Sequence, residues 1–196
     1  MLLKSVFIGF LSLAILHADT LKECKNETDK MSGCAEREYY KNGNLEFETP
    51  YKNDKREGIA KGYYESGNLW SEIPYKNGKY DGIVKWYNES GNLWKEIPYK
   101  NGETEGIEKW YYQNGNLKEE IPYKNDKTHG DVKYYTENGK LLALVKAENK
   151  FISGKCFNNK VLTDKELRNL KDFEIAYLFD DVINYLQKIC LKSDSK

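Results

Sequence analysis

The chain has 196 residues, with 31 Lys and Arg against 31 Asp and Glu. It therefore lacks the basic excess that binding to nucleic acid or an anionic membrane by phosphate neutralisation requires. Aromatic residues make up 14% of the chain, too many for a disordered polymer of this polarity.

The N-terminus reads as a signal peptide over residues 1–18. Lys4 gives a short basic start, Ser5 to Leu16 is apolar, and Ala18 is a small residue suited to cleavage. The apolar run is too short to span a bilayer. Lys22 and Glu23 before Cys24 do not suit lipid attachment. Cleavage would remove Lys4 and His17 and leave 30 basic and 31 acidic side chains, net −1, with His129 as the one imidazole. No site built on two histidines is then possible. The expected location is exported, periplasmic or secreted.

Residues 19–34 form an N-terminal extension carrying Cys24 and Cys34, while Cys156 and Cys190 lie near the other end. An even number in an oxidising compartment points to disulfides, and four cysteines allow three pairings. Because both pairs fall outside the central block, Cys24–Cys34 and Cys156–Cys190 are expected, as a staple at each end. No metal is expected, since there is no C-x-x-C pair and no neighbouring histidine.

The central block, 35–154, is a repeat array. Gly-Asn-Leu recurs at Gly43, Gly67, Gly91 and Gly115, with Gly-Lys-Leu at Gly139, always 24 residues apart; a closing glycine recurs at Gly58, Gly82, Gly106, Gly130 and Gly154. Five such units stack to stabilise one another. Each reads as a β-hairpin, from its period-2 alternation and its Asn-Gly and Ser-Gly turns. Ser66 and Ser90 disfavour a two-residue type I′ loop, so a three-residue loop with only glycine left-handed is expected. That register sets Tyr87 opposite Leu93 and Ile83 opposite Ile97.

One face then collects Ile59, Ile83 and Ile107, the tyrosines Tyr39, Tyr63, Tyr87, Tyr111 and Tyr135, the leucines Leu45 to Leu141, and Ile73, Ile97 and Ile121. The strand prolines Pro50, Pro74, Pro98 and Pro122 should loosen the ladder locally. The other face would carry Trp70, Trp86, Trp94 and Trp110 with Tyr40, Tyr64, Tyr112 and Tyr134. There Trp86 is expected opposite Trp94, Gly62 opposite Trp70 and Trp110 opposite Lys118, with Glu48, Glu72, Glu96 and Glu120 and a row of lysines between. Trp70, Trp86, Trp94, Trp110, Tyr40, Tyr64 and Tyr112 are the candidate partner-binding residues, because Trp and Tyr concentrate at interface hot spots. The competing reading makes them cross-strand pairs that hold the sheet.

The Y-x-x-(S/N)-G-N-L…Y-K-N-(G/D)…G pattern resembles the variant MORN repeat, of the kind carried by YwqK-like antitoxin proteins. The resemblance covers about 120 residues, 35–154. It implies a long antiparallel sheet of stacked hairpins with a partner-binding role and no enzyme activity.

Residues 155–196 leave the period and read as a helical cap. Thr163 and Glu166 form a capping box, with Leu162 and Leu167 as its staple. A second helix near 173–191 carries Ile175, Leu178, Phe179, Val182, Leu186, Ile189 and Cys190 on one stripe, as expected of a cap over the last repeat. His129 takes the place of the acids Glu57, Asp81 and Glu105 before the closing glycine, which makes it a turn residue. No catalytic motif is present. The fold expected is mainly β: an elongated antiparallel sheet of stacked 24-residue hairpins with a C-terminal helical cap. The function expected is an exported, non-enzymatic scaffold that binds a protein or a surface glycan, without cofactor; the alternative is a periplasmic toxin-neutralising or immunity-like protein.

Overall fold

The computed structural model describes residues 21–175 and 179–191, without the side chains of 173–179. The expected leader, 1–18, and the side chains of Ile175, Leu178 and Phe179 lie outside the described residues. A short helix α1 (Glu27–Ser32) precedes the sheet. The hairpins follow as β1 (Cys34–Tyr39) with β2 (Leu45–Lys52), β4 (Gly58–Tyr63) with β5 (Leu69–Lys76), β7 (Gly82–Tyr87) with β8 (Leu93–Lys100), and β10 (Gly106–Tyr111) with β11 (Leu117–Lys124). The two-residue strands β3 (Lys55–Arg56), β6 (Lys79–Tyr80) and β9 (Glu103–Thr104) fold back on β2, β5 and β8. Then come β12 (Lys127–Tyr135), β13 (Leu141–Glu148) and β14 (Phe151–Cys156), and the helices α2 (Asp164–Ile175) and α3 (Phe179–Cys190). Among the described residues these make one open, antiparallel, 14-stranded sheet in sequence order, with helices at its C-terminal end.

Each hairpin closes with a three-residue loop. Asn88 N–H donates to Asn92 O and Gly91 N–H to Asn88 O, and Gly91 takes φ 82°. Tyr87 lies opposite Leu93, as expected. One residue further the register shifts: Trp86 pairs Lys95, Val84 pairs Ile97 and Ile83 pairs Pro98. The same bulge recurs in the other hairpins, between Glu38 and Tyr39, Gly62 and Tyr63, Trp110 and Tyr111, and Tyr134 and Tyr135. The expected pairing of Ile83 with Ile97 is thus replaced, and the two isoleucines point to opposite faces. Val84 is 1% exposed and Ile83 51%.

The outer turns are two-residue turns of the Asn-Gly or Asn-Asp kind. Asn53, Asn77, Asn101 and Asn125 all sit near φ 50°, where asparagine is tolerated. The acid before each closing glycine ties these turns together. Glu57, Asp81 and Glu105 accept from the backbone N–H of Asn77, Asn101 and Asn125. The prolines loosen the ladder on the side facing the next hairpin: β5 and β7 pair only through Ser71–Trp86 and Glu72–Lys85. There the Pro74 carbonyl accepts from Asp81 N–H instead, and Gly82 lies against the Pro74 ring.

The main core lies under the helices. Val132, Tyr134, Leu142, Ala143, Val145 and Ala147 from the sheet meet Leu162, Leu167, Leu170, Val182, Ile183 and Leu186. Thr163 caps α2 as expected, with Thr163 N–H donating to Glu166 Oε2 and Glu166 N–H to Thr163 Oγ1. Disulfides join Cys24 to Cys34 and Cys156 to Cys190. The first anchors residues 22–24 along β1, where Cys24 N–H donates to Ala35 O and Ala35 N–H to Lys22 O. The second ties α3 to β14.

Candidate functional site

The bulge decides which side chains share a face. On the helix-bearing side, one row of direct partners crosses the sheet as Phe47, Gly62, Ser71, Trp86, Lys95, Trp110, Glu119 and Tyr134. In four of the bulges the extra residue, Trp70, Trp94, Lys118 or Leu142, turns to this face too. Trp70 lies over Gly62, where an added Cβ would stand 2.5 Å from its Nε1. Trp94 packs on Trp110 with centroids 5.3 Å apart. Lys118 reaches Asp180 of α3 at 2.6 Å, and Leu142 is wholly buried in the helix-covered core. The four tryptophans therefore do share one face, by a route different from the one expected. Trp86 lies opposite Lys95, not Trp94. Gly62 lies opposite Ser71, although the Trp70 ring still covers it, and Trp110 lies opposite Glu119, not Lys118.

Within this patch Lys95 is the centre. Its ammonium sits 4.0 Å from the Trp110 ring centroid and 5.7 Å from that of Trp86. It pairs with Glu108 at 3.0 Å, and Glu108 also accepts from Trp110 Nε1 at 2.7 Å. Cation–π contact strengthens as the cation is desolvated. Glu108 is 7% exposed, so this Lys–Glu–Trp cluster is largely out of water, while Trp94 at its rim is 37% exposed. Phe47 meets Trp70 edge to face at 5.9 Å.

Tyr40, Tyr64 and Tyr112 have a structural task. Each phenol donates to a backbone carbonyl of the following unit: Tyr40 to Tyr63 O, Tyr64 to Tyr87 O, and Tyr112 to Tyr135 O, at 2.7–2.8 Å. They cross-link successive hairpins near the three-residue loops. Burial, with the charges of Glu137 and Asp180 adding to it, pushes the Tyr112 phenol up to about 12. Tyr134 is buried beneath the helical cap.

Glu72, Glu96 and Glu120 were expected between the tryptophans; the bulge sends them to the opposite face. There they accept from Tyr87, Tyr111 and Tyr135 of the following unit at 2.9, 2.7 and 2.8 Å. Burial and the Glu120 hydrogen bond raise the Tyr135 phenol to about 12. Burial alone would raise the Glu120 carboxyl, but its hydrogen bonds to Tyr135 and Lys133 outweigh this and hold it low. His129 is exposed and pairs with Glu148 across β12 and β13. Among the described residues, no group of three or more His, Cys, Asp or Glu is placed to hold a metal ion. None of the helices among them is long and apolar enough to cross a membrane.

The family model for the MORN repeat variant matches residues 35–53, 56–77, 80–101, 104–125 and 128–149. Five consecutive matches across 35–149 cover more than half of the chain, and the chain belongs to this family. The matched segments recur every 24 residues, in step with the hairpins. No curated protein matches the chain. The family and the sheet define a repeat scaffold, and two disulfides are compatible with a periplasmic or extracellular location.

Proposed function

We propose that this protein is an exported, non-catalytic scaffold that binds another protein through the tryptophan patch of its helix-bearing face. The observation that supports this is the Lys95–Glu108–Trp110 cluster with Trp94 at its rim. A desolvated charge pair ringed by tryptophans, with one indole presented at the edge, has the composition of an interface hot spot. A glycan fits it less well, because one face of Trp110 is already covered by Lys95 and sugar recognition needs open ring faces. The charge pair at its centre occurs once in the array: one unit earlier Trp70 and Trp86 take the places of Trp94 and Trp110, but Ser71 and Val84 take those of Lys95 and Glu108, and one unit later Lys118 and Tyr134 replace the two tryptophans.

The test is a pull-down from periplasmic and secreted fractions with the oxidised chain, followed by affinity measurement on the recovered protein. Trp94→Ala is expected to weaken binding by about 2 kcal/mol or more with an unchanged melting temperature. A recovered partner that binds Trp94→Ala as tightly as the parent chain overturns the reading. A toxin among the recovered proteins would make the scaffold an immunity-like protein acting through the same surface.

A further inference from the structure

The sheet face opposite the tryptophans is as regular as the repeat itself. One row across it reads Lys61, Glu72, Lys85, Glu96, Lys109 and Glu120, each directly paired with the next across β4, β5, β7, β8, β10 and β11. Charge sign therefore alternates at every strand. Beside it runs an apolar row in which isoleucine and proline alternate: Ile59 with Pro74, Ile83 with Pro98, and Ile107 with Pro122. Ile83 is 51% exposed and Ile107 46%.

We propose that this face is a self-docking surface, on which a second copy of the chain packs face to face about a two-fold axis. The argument is one of complementarity. Place the axis parallel to the strands and midway between two neighbours. Each strand of one copy then faces a strand of opposite sign in the other. Every Lys meets a Glu, and every Ile meets a Pro. Move the axis onto a strand and every Lys meets a Lys. Strict alternation thus both permits the pairing and fixes its register, as a two-fold interface requires of one patch that must match itself. Aligned packing of two twisted sheets is an ordinary geometry for such a contact.

The ends of the sheet are partly covered, which works against the competing mode, in which copies add edge to edge. Residues 22–24 lie along β1. At the far end β14 is bonded by the chain that follows it, with Leu162 N–H donating to Gly154 O and Cys156 N–H to Lys160 O. Partly covered edges hinder open-ended extension, which favours the face and a closed pair.

Sedimentation of the oxidised chain across a concentration series tests this. A dimer is expected to populate below about 100 µM. Ile83→Lys with Ile107→Lys should raise its dissociation constant at least about tenfold, with an unchanged far-ultraviolet spectrum. In case that variant does not fold, the unaltered chain is mixed in two isotopic forms and treated with a carbodiimide. Mixed-isotope Lys–Glu cross-links among Lys85, Glu96, Lys109 and Glu120 are expected. A monomer at the highest concentration, a dimer indifferent to the double substitution, or mixed-isotope cross-links confined to Lys95 and Glu108 would each overturn the proposal.

Discussion

Two glycines show how differently the same residue type acts in one repeat. Gly91 has φ 82° and nothing within 4 Å of where a Cβ would stand, so Gly91→Ala meets backbone strain alone, about 1–3 kcal/mol. Gly82 has φ 131°, and an added Cβ would lie 2.8 Å from the Pro74 ring. A ring carbon fixed to the backbone cannot swing aside. Gly82→Ala is therefore expected to lower the melting temperature well beyond Gly91→Ala, and Ser90→Ala should have almost no effect. Equal shifts for the two glycine variants would contradict the close glycine–proline contact. The tyrosines give a prediction in pH. Tyr112 and Tyr135 have phenols raised to about 12 in the folded chain, against about 10 when unfolded. A raised phenol favours folding in its protonated form, so its contribution is complete below about 10 and is lost as pH rises toward 12. Thermal melts should show stability falling over that interval, and Tyr135→Phe should lessen the slope. A slope unchanged by that substitution would remove Tyr135 from the account.

At the scale of the hairpin, the bulge makes a prediction opposite to simple alternation. Regular pairing from the loop would bury Ile83; the bulge buries Val84 and exposes Ile83. Val84→Ala is expected to cost about 1–3 kcal/mol and Ile83→Ala under about 0.5 at dilute protein, read from denaturant midpoints. The reverse order would mean that the register is the unbulged one. Period, hairpin, loop length, end disulfides and capping box were all legible in the sequence, because each rests on local chemistry: glycine spacing, turn residues, cysteine clustering, and Thr163 three residues before Glu166. The bulge was not legible from turn chemistry, since nothing in the loop announces a second irregularity one residue beyond it. A signal was nonetheless present in the charges. Regular pairing sets Lys85 against Lys95, and like charges directly opposite are unfavourable. The bulged register instead pairs Arg37 with Glu48, Lys61 with Glu72, Lys85 with Glu96 and Lys109 with Glu120. Grouping the tryptophans on one face survived the error, because the bulge residue itself turns toward that face. The cross-linking by Tyr40, Tyr64 and Tyr112 was not legible, because their carbonyl partners lie 23 residues away, a distance no local pattern shows.

Over the whole molecule, the sheet is nearly one-dimensional: each hairpin meets its neighbours, and the ends are closed by different means. Among the described residues, the N-terminal end has a short strand-like segment and a six-residue helix, held by Cys24–Cys34. The C-terminal end has two helices over a buried apolar core, held by Cys156–Cys190, which encloses a span of 34 residues. In such an array stability is a sum of unit and interface terms, so damage at one end stays near that end. Each disulfide should contribute about 2–4 kcal/mol, the longer loop more. Replacing Cys24 and Cys34 by Ala should speed amide exchange in β1 and β2 and leave β12 to β14 protected. Replacing Cys156 and Cys190 should loosen α3 and the strands beneath it, while β1 and β2 keep their protection. The first variant also frees the outer edge of β1, whose unpaired backbone groups become a template for strand addition; it is therefore the one expected to aggregate on warming. Hydrogen exchange followed along the chain decides the matter, and a uniform loss of protection in either variant would show that the array unfolds as one cooperative unit instead.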